Sequence, residues 1–291
     1  MFGYWWFGTL LFLCLEIASL SARNFMRSTV PVWSHETSVK GVPLSKLTWP
    51  WYSRASYWFM DTVTLVVREV VEFHYTLFDL DTIQLLTWSV PPYLISRAAD
   101  PHIHCCFYDA SCHKNLKQMP SAVVRTINSL GNIGVWGFSS LAVLSSNEHT
   151  RRVARIYLIG DLAGMVLKNV IKSVEGGAGV RPGNEHFPQK KTFGGFPSGH
   201  MFEATYMVTT LGLEYGYKVG LPLSAFAGLV FGTLIGSNRH YASQVVAGGA
   251  LGIVYGVAAH KLINSTDNRS LSYGVGGDGN GGVACRLGYA F

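Results

Sequence analysis

The chain has 291 residues, of which 48% are hydrophobic and only 14% charged, with a net charge of +6 and a pI near 9.0. An average soluble domain carries about 25% charged residues, so this composition points to a membrane protein or an unusually apolar helical bundle rather than an ordinary soluble domain. The basic residues are scattered and form no basic helix face with interleaved aromatics. That argues against a nucleic-acid partner and suits anionic lipid head groups or a phosphate-bearing substrate.

Residues 1–22 hold an uncharged run of 15 residues followed by small residues around Ser19 to Ala22. They read as a signal peptide or signal anchor, although the positive n-region is missing. Residues 23–120 are expected to form a helical extension. It opens on a polar, Pro- and Trp-punctuated connection over residues 24–54, then an amphipathic helix over residues 61–74. A second helix is expected over residues 80–96, broken by Pro91 and Pro92. The stretch PHIHCCFYDASCHK then packs three cysteines and three histidines into 14 residues. A zinc reading would use His102, His104, Cys105, Cys106, Cys112 and His113, but adjacent cysteines lack the paired short spacings of zinc fingers and ribbons. A loop disulfide between Cys106 and Cys112, or simply a cysteine-rich loop, is preferred.

From residue 121 to 262 the pattern predicts an all-α bundle of about five core helices embedded in a membrane. Residues 127–146, 219–237 and 241–259 carry no charge and are each about long enough to cross the hydrocarbon core. Residues 153–171, interrupted by Arg155 and Asp161, and residues 204–213, flanked by Glu203 and Glu214, are weaker spans. Arg151 and Arg152 mark their loop as cytoplasmic, which puts the following Gly- and Pro-rich loop on the extracytoplasmic, periplasmic side; a soluble periplasmic form after signal removal is the alternative. Residues 263–291 form a short glycine-rich tail. Its Gly274, Gly276 and Gly279 match G-x-G-x-x-G with no βαβ unit around them, so the plainer reading is a hairpin pairing SLSYGV with VACRLGYAF.

The chemistry is concentrated around FGGFPSGHMFEA, residues 193–204. Pro197, Ser198 and Gly199 can be read as a turn with Ser198 capping a helix. His200 beside them suggests instead a proton donor at a helix N-terminus, whose free N–H groups and dipole favour an anion. Upstream lie Lys168, Lys172 and the pair Arg181-Pro182. Downstream, GSNRHYASQVVAGG places His240 at the start of another helix.

This order of Lys, Arg-Pro, Pro-Ser-Gly-His and His at a helix start resembles the type 2 phosphatidic acid phosphatase and vanadium haloperoxidase superfamily. Its pattern is K-x6-R-P, P-S-G-H and S-R-x5-H-x3-D. The resemblance covers about residues 121–262. It implies a metal-independent phosphatase acting on a phosphate monoester or diphosphate of a lipid, with His240 as nucleophile and His200 as acid. Arg181, Lys172, Ser198, Gly199 and Arg239 would bind phosphate. Three positions depart from the pattern. The lysine position falls on Val174, so Lys172 or Lys168 must serve; the arginine position is Leu234; and the acid position is Gln244. At i+4 the Gln244 amide oxygen can still accept a bond from His240 Nδ1–H, without the negative charge, so Gln244→Asp would raise turnover if that charge limits the rate. A catalytically weak or inactive membrane scaffold and a vanadate-dependent haloperoxidase are the alternatives.

Overall fold

The computed structural model describes residues 51–109, 114–115, 122–127, 145–174, 180–182, 194–265, 271–277 and 283–289, with positions 129, 137, 139 and 142. The leader and the polar connection expected before residue 51, and most of the span expected over residues 127–146, lie outside the described residues. Seven helices are present among those described: α1 (Trp51–Leu77), α2 (Leu80–Trp88), α3 (Val90–Cys105), α4 (Glu148–Val174), α5 (Gly199–Tyr215), α6 (Tyr217–Gly236) and α7 (Ala242–Asn264). Two small antiparallel pairs complete them. In the first, β1 (Tyr108–Asp109) lies against β2 (Lys114–Asn115). In the second, β3 (Leu271–Gly277) lies against β4 (Val283–Tyr289), which is the expected tail hairpin.

Four of the expected core helices are therefore α4 to α7, and residues 122–127 are also helical. Two expectations for the extension need correcting. The break between α2 and α3 falls at Ser89, and Pro91 and Pro92 stand in the first turn of α3. A first-turn proline gives up an N–H that has no intrahelical partner, so the prolines start this helix rather than break one. Cys106 carries a free thiol, so the disulfide to Cys112 is not formed, and Cys112 itself lies outside the described residues. The thiols of Cys105 and Cys106 both turn back to the His102 carbonyl, at 3.0 and 3.3 Å, along the last turn of α3. Among the described residues no three His, Cys, Asp or Glu side chains come together as metal ligands.

Helix α7 is the centre of the bundle, packed by α5 along one side and by α1, α3 and α4 around the rest. An aromatic cluster fills the junction: Tyr157 and Tyr206 stack at 4.7 Å, and Phe202 meets Tyr255 edge-on at 5.2 Å. The Tyr206 hydroxyl donates to the Tyr157 carbonyl at 2.9 Å, which satisfies its polar end inside the core. Helices α6 and α7 are long and apolar enough to cross a membrane. They differ in what surrounds them, since α7 is mostly buried whereas α6 leaves Tyr217, Leu221 and Leu229 exposed.

The extension is joined to this core by a buried ion pair. Arg155 on α4 donates to both oxygens of Glu69 on α1, at 3.2 and 3.0 Å. At one end of α7, Lys261 reaches Asp79 and Asp81, at 2.7 and 2.8 Å, while Arg152 donates to the carbonyls of Leu262 and Ser265. Removing one partner of a buried pair strands the other charge. Arg155→Ala is therefore expected to destabilise the fold by about 3–5 kcal/mol. The double variant Glu69→Leu with Arg155→Met should recover most of that loss in thermal unfolding of the detergent-solubilised protein.

Candidate active site

The site lies at the end of the bundle where α4 finishes, α5 begins and the α6–α7 turn closes. Asn238 shapes that turn. Its φ of 56° is left-handed, a conformation that asparagine tolerates better than most residues. The chain then folds back so that the N–H groups of Arg239 and His240 both reach the Leu234 carbonyl, at 3.1 and 3.2 Å. His240 is left buried and Arg239 exposed.

Gln244 ties the surrounding segments together. Its Oε1 lies 3.2 Å from His240 Nδ1 and accepts the Tyr241 N–H at 3.3 Å, while its Nε2 donates to the Val180 carbonyl at 2.9 Å. Because that carbonyl can only accept, the amide orientation is fixed: Oε1 faces the imidazole, Nδ1 carries the proton and Nε2 of His240 is left with its lone pair. The Gln244 main-chain carbonyl also accepts the Ser198 N–H, at 3.0 Å. The contact expected between Gln244 and His240 is thus formed, and the bonds to Val180 and Ser198 add two links that the i, i+4 spacing could not reveal.

Close approach at this hub requires glycine. A Cβ on Gly248 would overlap the Ser198 carbonyl, and one on Gly195 would lie 2.6 Å from Gln244 Oε1 and 2.9 Å from Arg181 Cγ. The loop before α5 therefore lies directly on α7, and Arg181 is held beside it by a 3.3 Å bond to the Gly194 carbonyl.

Ser198 does occupy the N-cap position of α5, yet its hydroxyl does not cap the helix. That hydroxyl is buried without a hydrogen-bond partner among the described residues. A buried unmet hydroxyl costs about 1–3 kcal/mol, which a ligand at this helix start would offset. The ammonium groups of both Lys168 and Lys172 flank Gly199, 3.6 and 4.0 Å from where its Cβ would stand. Lys168 is also paired with Glu203 at 3.0 Å and lies 4.6 Å from the Phe202 ring centre.

These charges act on two imidazoles. Burial holds His240 far below the ordinary imidazole range; the Arg181 charge pushes further in that direction and the Gln244 bond opposes it. His200 is lowered by burial first, with Glu203 acting against the combined charges of Arg239, Lys168 and Arg181. The expected residues thus gather into one cationic pocket, with Arg239 bearing on His200 from the exposed side. Leu234 contributes no polar group: its side chain is buried in the apolar cluster with Ala242 and Val245.

The geometry argues for a different outcome of one substitution. Gln244→Asp removes the donor to Val180 and leaves that carbonyl facing a shorter carboxylate. It should lower turnover by about tenfold, the effect of one buried unmet group, rather than raise it. Steady-state rates on nitrophenyl phosphate, with Gln244→Glu as a length-matched control, would decide.

No curated protein and no solved structure gives a significant match to the chain. Residues 155–266, which run from the buried Arg155 to just beyond α7 and contain every site residue above, match the model of the PAP2 superfamily. Over this segment the chain is similar to the PAP2 superfamily, the family that its sequence motifs resemble.

Proposed function

We propose that the protein is a metal-independent phosphatase that hydrolyses a phosphate monoester or diphosphate of a lipid through a phosphohistidine intermediate. The observation that carries this reading is the fixed amide of Gln244, which presents His240 Nε2 unprotonated in a pocket of Lys172, Arg181 and the unmet Ser198 hydroxyl. Nε2 attacks phosphorus, the ester P–O bond breaks, and the departing oxygen takes its electron pair and a proton from His200. Water then gives a proton back to His200 as its oxygen attacks the phosphohistidine, and the N–P bond breaks to return the imidazole and release phosphate. Lys172 and Arg181 balance charge on the nonbridging oxygens, and Gly199 N–H and Ser198 add donors.

The lipid part of the proposal rests on α6, whose apolar side chains stay exposed along a helix separated by five residues from Gln244's own helix. With α6 and α7 crossing the bilayer, an acyl or prenyl chain in the membrane would lie beside that surface with its phosphate at the α6–α7 turn. Arg151 and Arg152 stand at the opposite end, which suits a cytoplasmic face there and an extracytoplasmic site.

Two measurements test the chemistry. Brief reaction with a radiolabelled phosphate ester should leave an acid-labile label, and His240→Ala should abolish labelling and turnover together. His200→Ala should slow alkyl phosphates far more than nitrophenyl phosphate, whose leaving group needs no proton. Protein that labels normally without His240, or that hydrolyses no phosphate ester, would leave the non-catalytic scaffold standing. The second test is pH. His240 stays neutral well below pH 6.5, whereas His200 loses its proton in the free enzyme on the acid side of that value. For alkyl phosphates kcat/KM should therefore peak at acidic pH and fall as pH rises, and His200→Ala should flatten the basic limb.

A further inference from the structure

The family match begins at Arg155, yet a helix that lies wholly before it runs along the back of the site. Tyr93 of α3 packs against Phe196 with ring centres 5.7 Å apart, next to the Pro-Ser-Gly-His turn. Asp100 binds Ser243, the neighbour of Gln244. His104 meets Tyr241, the neighbour of His240, with ring centres 5.3 Å apart. The three residues are spaced i, i+7 and i+11, which places them on one stripe of the helix. Ile103 and Phe107 continue the contact onto the apolar cluster that holds Leu234, Ala242 and Val245.

We propose that Asp100 is a positioning residue of this site, acting through Ser243 on the Gln244–His240 pair. The first turn of any helix leaves N–H groups without intrahelical partners, and a Ser, Thr, Asp or Asn at the N-cap usually supplies one. Tyr241 occupies that place in α7. Beside the capping box that Tyr241 forms with Gln244, Asp100 supplies an acceptor from another helix: Oδ1 takes the Ser243 N–H at 3.0 Å and Oδ2 takes the Ser243 hydroxyl at 2.5 Å. Asp100 and Ser243 are both buried, so neither group can turn to water instead. The carboxylate also faces the positive end of the α7 dipole, and Arg97 lies 3.3 Å from Oδ2. Without Asp100 the first turn of α7 has two buried unmet donors. Relieving them means loosening the turn that aims Gln244 at His240.

The role of Asp100 rests on the phosphatase reading only for its kinetic consequence, and the test separates the two. The full chain in detergent is compared with Asp100→Ala, Asp100→Asn and Ser243→Ala, by rates on nitrophenyl phosphate and by the imidazole 15N resonances of His240, identified through His240→Ala. Asp100→Ala should shift the His240 Nδ1 resonance away from its hydrogen-bonded position and lower kcat by about tenfold. KM should change far less, because Lys172 and Arg181 are held by other segments. Asp100→Asn keeps an acceptor for the Ser243 N–H and should restore most of both signals, and Ser243→Ala should show a smaller loss of the same kind. Lower thermal stability in Asp100→Ala with unchanged His240 resonances and kcat would overturn the proposal, as would an Asp100→Asn variant no better than the alanine. Should Asp100→Ala not fold, the same two signals in Ser243→Ala decide. If the wild-type chain turns over no phosphate ester, the phosphatase reading fails, and the His240 resonances alone uphold or overturn the positioning role.

Discussion

A buried primary amide must have its donors and acceptor met, and Gln244 meets them with groups that are far apart in the chain. One side chain joins the His240 loop to the segment that carries Arg181, and its main-chain carbonyl joins both to the Pro-Ser-Gly-His turn. Each of these segments is irregular backbone and would wander by itself. Held on a common residue of a buried helix, each fixes the others, so the cationic groups and the two imidazoles need no separate scaffold. Helix α7 in turn must be placed well, which is why so much of the structure is devoted to it. Lys261 and Arg152 secure its far end, Asp100 secures its near end, and the aromatic cluster packs its middle.

The pocket gathers like charges, and a collection of buried cations is costly unless something offsets them. Part of the compensation is internal: Glu203 takes Lys168, one turn before Lys172 on α4, and moderates the field at His200. This divides the labour of two lysines that the spacing alone left equivalent. Burial, with the remaining positive charge, holds both imidazoles toward their neutral forms, and a bound phosphate would draw them back toward protonation. In the proposed mechanism that coupling would serve His200, because an acid is needed only when a leaving group is present.

Much of this was legible in the sequence. Helices α6 and α7 announce themselves by apolar length, and His240 and Gln244 are placed on one face by their spacing alone. Signals that depend on two distant segments were not legible. Nothing around Asp100 suggests that it caps a helix 143 residues later in the chain, and nothing around Gln244 reveals Val180. Ser198 misled in the opposite way, since it takes the expected place at the start of α5 while its hydroxyl does not serve the helix. The prolines of α3 show the same limit, because Pro91 and Pro92 are compatible with a helix that ends or one that begins. The position of Ser89 between two helices decides it.

Two of the three departures from the superfamily pattern, at positions 234 and 244, are linked by charge. Leucine at 234 removes a cation from the position the pattern gives to arginine, and glutamine at 244 removes an anion from the position it gives to the acid. Together they leave the formal charge of the site unchanged. Either change alone would have unbalanced a buried pocket, stranding a carboxylate beside His240 or adding uncompensated positive charge to it. Both replacements also find structural work of a different kind. Leu234 fills the apolar cluster beneath the turn while its carbonyl gathers the Arg239 and His240 N–H groups, and Gln244 gains a donor that a carboxylate lacks and spends it on Val180. With these residues the site relies on packing and neutral hydrogen bonds at both positions, and Gln244 still aims the His240 imidazole.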